Sequence, residues 1–409
     1  MPPAPHLKPL QTPIDPLGLT SEDFVRACRE QGVFRPAALA AYRAVFRQGT
    51  LESGIAHAAL PPITKTLRED SPEGQVVKFL TQVEGTPALK PASPPPHLPT
   101  STTPPLPHSS TPPLEVESVL IPMIGSLGLS TYTLCVSSQV GCAMGCGFCE
   151  TAQMGLIRSL TPAEIVSQWY NARHVVGIAP KNIVFMGMGE PMHNYDAVMQ
   201  AVAVLKDHNG PHVPISQITI STVGNVDGLR KMAEQIKQEG WHRLNIALSL
   251  NAPNDEVRAQ IMPINKSWNM ADLQQVLLDW PRFAGNKLCI EYVLIPGVND
   301  RPEHVEQLAA WLLPFKTADR GKPRALLNLI PYNPRRNSPW PAPTEEHVEQ
   351  FLQALINAGI FAKRRRTKGR QMMGACGQLG AAHIRARKLV TPITPTISAE
   401  SAAAGTPHA

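Results

Sequence analysis

TLCVSSQVGCAMGCGFCE, residues 133–150, decides how the rest of the chain is read. Its first half is a β-rich run without a central proline. Its second half is a loop that sets Cys142, Cys146 and Cys149 in a C-x3-C-x2-C array. Three thiolates from one short loop can take three corners of a cubane iron–sulfur cluster and leave the fourth iron open. A structural zinc site competes for the same residues. Such sites close with four ligands in paired spacing, and no C-x2-C or H-x3-H pair stands elsewhere in the sequence to complete one.

Downstream, a strand, loop, helix pattern recurs six times. The strands are TYTLCVSSQ, NIVFMGMG, QITISTV, RLNIALSL, LCIEYVLI and RALLNLI; amphipathic helices follow at about 161–176, 194–208, 225–239, 270–282, 301–314 and 344–358. This alternation predicts an α/β fold of parallel βαβ units, either a doubly wound sheet or an open, partial barrel. Both architectures put the site at the C-terminal strand ends. The second strand closes there on GMGEP, where Gly189 lets backbone approach a ligand and Glu190 can pair with an ammonium or a ribose. Ser221 ends the third strand, and Ser249, Leu250 and Asn251 end the fourth. Cap or turn duty accounts for such residues equally well.

Upstream, residues 17–72 show helical periodicity, with Thr20 or Ser21 as a cap and Glu22 and Asp23 in the first turn. QVVKFLTQVEG and LEVESVLIPM alternate like strands, and between them residues 87–113 carry 11 prolines, the composition of an extended linker. The expected organisation is a helical module with a first small strand over 1–86, a Pro-rich disordered insertion over 87–113, a core over 114–390 and a disordered tail over 391–409.

The 409 residues, 43% of them hydrophobic, suffice for one large core with a small accessory domain. Seven cysteines are too few for a disulfide framework, and their bunching points to metal or redox chemistry in a reducing compartment, so a cytoplasmic protein is expected. No apolar run approaches the roughly 18 residues of a membrane span, so no membrane is expected as a partner. The net charge of +6 is unevenly spread: residues 361–390 hold nine Lys or Arg and no acid, densest from Lys363 to Arg366. This run reads as a solvated face or as a phosphate-contacting patch. Cys28 and Cys289 sit on apolar faces and read as core, whereas Cys376 lies among Gly374, Ala375 and Gly377, where an exposed thiolate is favoured. Cys135, on the first strand, reads on its own as a buried thiol.

In order along the chain, TLCVSSQVGC, the cysteine loop, MGMGEP, ALSLNAPND with IMPINK, EYVLIPGVND, NLIPYNP and ACGQL match one family over about residues 114–380. The sequence resembles the RlmN/Cfr family of radical S-adenosylmethionine (SAM) RNA adenosine methyltransferases. The resemblance implies a partial (β/α)6 radical-SAM barrel with a small helical N-terminal domain. It implies one [4Fe–4S] cluster on Cys142, Cys146 and Cys149, and SAM held by Gly189, Glu190, Ser221, Ser249, Leu250, Asn251 and Asn333. It also implies a mechanism that uses two SAM molecules. Cys376 is methylated on sulfur, a 5′-deoxyadenosyl radical takes hydrogen from that methyl group, and the resulting methylene radical adds to an adenine carbon. Cys135 then resolves the adduct through a transient disulfide with Cys376, with Glu117 as proton acceptor. The implied partners are structured RNA, namely large-subunit ribosomal RNA with transfer RNA as a second candidate, and an electron donor such as flavodoxin or ferredoxin. Methylation at C2 is the leading expectation; C8 methylation, as in the Cfr branch, and a catalytically silent iron–sulfur RNA-binding protein are the alternatives.

Overall fold

The computed structural model describes residues 12–85, 114–125, 128–283, 288–316 and 323–380. The Pro-rich insertion and the tail lie outside these residues. At the N-terminal end, α1 (Ser21–Glu30) is capped by Thr20, whose hydroxyl accepts the Asp23 N–H, and α2 (Arg35–Arg43) carries a proline in its first turn. Phe24, Tyr42 and Phe46 stack in series and reach Trp169 of the following core, so the helical module is docked through aromatic packing.

Next come β1 (Ile63–Ser71), β2 (Gly74–Val83) and β3 (Leu114–Ile124), an antiparallel meander leading into β4 (Ser130–Cys135). Residues 63–71, expected inside the helical module, are a strand instead. Ile63, Thr64, Thr66 and Leu67 suit a pleated surface, and the tight turn from Ser71 to Gly74 lets them pair with β2 along their length.

The core then runs β5 (Gln139–Gly141), β6 (Leu156–Ser159), α3 (Pro162–Tyr170), β7 (Asn182–Phe185), α4 (Tyr195–Lys206), β8 (Ile218–Thr222), α5 (Val226–Gln235) and β9 (Asn245–Ser249). It continues with α6 (Asp255–Ile261), α7 (Met270–Leu278), β10 (Leu288–Leu294), α8 (Pro302–Leu312), β11 (Ala325–Pro331), α9 (Glu345–Asn357) and β12 (Ala362–Arg364). One ten-stranded sheet has the order β1-β2-β3-β4-β7-β8-β9-β10-β11-β12, parallel from β4 onward. The six expected strands and helices occur where periodicity placed them, and the α/β architecture is the partial barrel of radical-SAM proteins.

The two edges of this sheet are tied together by the chain that leaves β12. Arg366 and Lys368 pair with Glu73 in the β1–β2 turn (3.3 and 3.4 Å), and the Gln371 and Met372 N–H groups donate to Glu69 of β1 (3.1 and 3.2 Å). A sheet whose last strand reaches back to its first must curve, and the segment after β12 covers the gap.

Candidate active site

The cysteine loop is shaped by its own backbone. Cys142 N–H donates to Gly155 O (2.9 Å), Cys149 N–H to Cys146 O (3.2 Å), and the Gln153 amide to the carbonyls of Cys146 and Cys149. Gly141 opens the loop at φ +76°, where an added Cβ would lie 1.8 Å from Gly155 O, so no other residue fits. Cys142, Cys146 and Cys149 are unbridged and line one cavity at the C-terminal strand ends, together with Gly189, Glu190, Ser221, Ser249, Asn251 and Asn333. Cys376 lines it too, brought in by the segment after β12.

Glu190 is held rigidly. Its carboxylate accepts N–H donors from Met192 (3.0 Å) and Val223 (2.9 Å), tying the loop after β7 to the loop after β8. Burial raises its pKa, against the pull of those hydrogen bonds. Gly189 adopts φ +103° with Gln139 only 2.6 Å from where a Cβ would stand, which lets Glu190 enter the cavity. Asn251 turns the chain in the left-handed region at φ +56°, accepting Val293 N–H (3.0 Å) on its side chain. Leu250 points elsewhere: its side chain is fully buried in the main core and outside the cavity lining.

The donor set fits an iron–sulfur cluster. Burial pushes the Cys142 thiol up to about 12, Cys146 well above the usual thiol range and Cys149 upward as well, so these thiols need a strongly positive partner to ionise. Among the described residues no three His, Cys, Asp or Glu side chains converge on a single-ion position. A cubane takes each thiolate on a different iron, so its ligands need not converge as those of one zinc ion must.

A second cleft, of about 610 Å³, opens on the other side of Cys376. That lies within the roughly 300–1,000 Å³ of ordinary ligand sites. Cys135 is in its wall, and Lys363, Arg364, Arg366 and Lys368 border it. Burial, then the neighbouring Cys376, raises the Cys135 thiol to about 12. Asn333 donates to Cys376 O (3.3 Å) and accepts from Arg370 (3.1 Å), fixing the loop from the barrel side.

Three residues escaped the sequence reading. Arg365, read as part of a surface run, turns inward: it lines both cavities and faces Glu291 (3.7 Å), and the proximity of Cys376 first among its neighbours holds it firmly protonated. Cys289, read as core, is half-buried beside the same group and donates to Glu291 (3.3 Å). Arg258 is fully buried and ties the loops after β8 and β9 together through Val223 O and Leu250 O. An arginine four residues past the N-cap of a short helix carries no sequence signal for this. Glu117 lines neither cavity; it lies behind the Cys376 loop, paired with Lys78 at 2.9 Å.

The radical SAM superfamily pattern matches residues 136–312. The chain is similar to the probable dual-specificity RNA methyltransferase RlmN 1 of Protochlamydia amoebophila, 42% identical over 280 residues, which is 68% of this chain and 74% of that protein. The dual-specificity RNA methyltransferase RlmN of Lawsonia intracellularis is 40% identical over 275 residues, 66% of this chain and 73% of that one. Of solved structures, a radical SAM methyltransferase from Sphaerobacter thermophilus superposes with a TM-score of 0.72 at 29% identity, covering 90% of this chain and 99% of that one. With the ordered motifs, the cavity of three thiols and this degree of identity in agreement, the chain belongs to the RlmN family of radical SAM dual-specificity RNA methyltransferases.

Proposed function

We propose that this RNA methyltransferase modifies carbon 2 of an adenosine in large-subunit ribosomal RNA, and in transfer RNA, by passing the methyl carbon through Cys376. The single observation that supports this reading is the place of Cys376, which lines both the cavity of Cys142, Cys146, Cys149 and Glu190 and the cleft of Cys135. A methyl carrier must face its donor on one side and its acceptor on the other.

In this reading Cys142, Cys146 and Cys149 hold the [4Fe–4S] cluster, and Gly189, Glu190, Ser221, Ser249, Asn251 and Asn333 hold SAM, with Leu250 contributing through its backbone. When bound, the cluster supplies the electron that cleaves SAM, and a flavodoxin or ferredoxin supplies that electron in turn. Cys376 takes a methyl group on sulfur and later donates its carbon to the adenine ring. Glu117 lies behind the Cys376 loop and outside both cavities, so its expected part as acceptor of the proton displaced from that ring carbon requires that proton to be relayed to it from the cleft. The Cys135 thiolate then attacks the Cys376 sulfur, forming a disulfide as the sulfur–carbon bond to the RNA breaks; the departing methylene carbon keeps that bond's electron pair and takes a proton to become the methyl group, and an external thiol reduces the disulfide before the next turnover. Adenine C2 is electron-poor, so an ordinary displacement on SAM fails there and a radical route is required. The basic border of the cleft, on Lys363 and Arg366, suits the RNA backbone.

The test is the Cys135→Ala variant, reconstituted anaerobically and given RNA. It should accumulate a protein–RNA adduct that survives denaturation and shrinks to one modified nucleotide on nuclease digestion; Cys376→Ala should form none. Nucleosides released by the wild type should contain 2-methyladenosine. Finding 8-methyladenosine instead would move the reading to the other ring carbon, and normal turnover by Cys135→Ala would sink the assigned thiol roles.

A further inference from the structure

Lys78 lies at the centre of β2, and its ion pair with Glu117 is the most deeply buried among the described residues, each side chain only 4% exposed. Neither group lines either of the two cavities described above, so direct substrate contact does not explain a charge pair in this place. Among the described residues, further contacts of both converge on one target. Lys78 Nζ donates to Met373 O (2.9 Å) and Met372 O (3.4 Å), and Glu117 Oε2 accepts Gly380 N–H (2.9 Å). Met373 and Gly380 are the two ends of the short segment that carries Cys376.

One buried pair therefore grips the methyl-carrying loop on both sides of its thiol. Strand geometry makes this possible. Glu117 sits opposite Leu80 in the β2–β3 ladder and Lys78 opposite Val119, so the two side chains lie diagonally on one face, the face that the loop covers. Glu69 extends the grip from β1 by accepting the Gln371 and Met372 N–H groups (3.1 and 3.2 Å). The barrel holds the middle of the loop, through the Asn333 amide on Cys376 O (3.3 Å), Glu150 N–H on Gly377 O (2.7 Å), Thr151 on Leu379 O (2.6 Å) and Gln378 on Pro334 O (3.0 Å), and leaves its two ends to the meander.

We propose that Lys78 is a positioning residue: it orients the Glu117 carboxylate and, through Met372, Met373 and Gly380, holds the Cys376 thiol between the two cavities. This rests on Cys376 being the methyl carrier. It adds that the accessory β-meander is part of the methyl-transfer machinery. A Lys78→Met change keeps most of the side-chain volume but leaves a buried carboxylate without its cation and two carbonyls without a donor, which a structure relieves by letting the loop go.

The experiment uses full-length holoenzyme of wild type, Lys78→Met, Lys78→Arg and Glu69→Ala, each checked for four irons per cluster. Amide hydrogen exchange over residues 371–380 is measured beside RNA methylation. In Lys78→Met, exchange of the Gly374 and Gly380 amides should rise at least 10-fold while β8 and β9 stay protected. The kcat for methylation should fall about 10-fold or more with KM for RNA changed less than 2-fold, and Lys78→Arg should recover most of both. Unchanged exchange and kcat in iron-loaded Lys78→Met would overturn the proposal. So would uniform loss of protection across the barrel, since that describes a merely structural lysine. Should Lys78→Met fail to fold, Glu69→Ala, at a half-buried position, must raise exchange at Gln371 and Met372 and lower kcat several-fold; no change there also overturns it. Absence of methyladenosine from the wild type would instead strike the reading of Cys376, and the exchange data would still decide the grip.

Discussion

Replacing Arg258 by Met should destabilise the barrel by about 3 kcal/mol and weaken SAM binding at the same time. The guanidinium is fully buried and makes three short hydrogen bonds: Nε to Leu250 O (3.1 Å), Nη1 to Asn265 Oδ1 (2.9 Å) and Nη2 to Val223 O (2.5 Å). Longer contacts reach Ser249 O (3.4 Å) and Trp268 O (3.5 Å). Methionine fills most of the same volume but donates nothing, so three buried acceptors lose their partners at roughly 1–3 kcal/mol each, a gross loss of about 6 kcal/mol. Part of that is returned. Burial depresses the arginine pKa to about 10, so the wild type carries a desolvation cost of about 3 kcal/mol, at roughly 1.36 kcal/mol per unit of lowering, that methionine avoids. The acceptors flank Ser221, Ser249 and Asn251, so the two loops they belong to should splay and SAM affinity should drop at least 10-fold. Urea unfolding of apoprotein gives the first quantity and equilibrium dialysis of SAM with holoenzyme the second. A loss under about 1 kcal/mol with SAM affinity intact would show that water replaces the guanidinium freely and that the loops are positioned by something else.

Two further outcomes follow from charges on the described surface. The basic run is not uniform: Lys363 and Arg366 are exposed, Arg366 while reaching Glu73, whereas Arg365 and Lys368 are turned inward against Glu291 and Glu73. Lys363→Ala with Arg366→Ala should weaken binding to all RNAs and lower the slope of log K against log salt by roughly 0.7–0.9 per lost phosphate contact; an unchanged slope would assign both side chains to a solvated face. His174, hydrogen-bonded to Phe46 O (3.0 Å) and packed on Tyr170, is held below its usual pKa mainly by burial. The unfolded chain takes up that proton near pH 6.5 and the folded chain only at lower pH, so stability should fall as pH drops from about 6.5. Denaturation midpoints of His174→Gln at pH 7.5 and 5.5 should lie closer together than those of the wild type; an equal gap would place the acid sensitivity elsewhere.

The barrel was legible because its strands are continuous apolar runs between amphipathic helices, a pattern that local sequence carries almost unaided. Ile218–Thr222 and Asn245–Ser249 could be placed from their own residues. β1 was not, since Lys65, Thr66, Arg68 and Asp70 on an edge strand are exposed and the strand exists only by pairing with β2. The cysteine triad was legible from spacing within one loop. What sequence could not supply was direction at long range. Arg365 and Arg366 are chemically identical neighbours, and one lies beside Cys376 and Glu291 while the other reaches Glu73, because successive residues leaving β12 face opposite sides. Glu117 was picked out by its motif, but its burial against Lys78, 39 positions earlier, depends on a strand register that no motif encodes.

These long-range contacts change what counts as the catalytic unit. The cluster loop and the SAM-facing strand ends all lie between Cys135 and Asn333, and a barrel of β4 to β12 would contain them. Cys376 lies beyond that barrel, and its loop is held from two sides: Asn333, Glu150 N–H on Gly377 O (2.7 Å), Thr151 on Leu379 O (2.6 Å) and Pro334 O accepting from Gln378 (3.0 Å) on the barrel side, and Glu69, Lys78 and Glu117 on the meander side. A barrel without β1 to β3 would keep the residues proposed to bind and cleave SAM while its methyl-carrying loop lost its anchors at Gln371, Met372, Met373 and Gly380, on both flanks of the thiol. SAM cleavage and methyl transfer should therefore be separable by lesions in the N-terminal strands: deoxyadenosine formation would persist as methylated RNA disappeared. Loss of both together would mean that the meander supports the barrel as a whole.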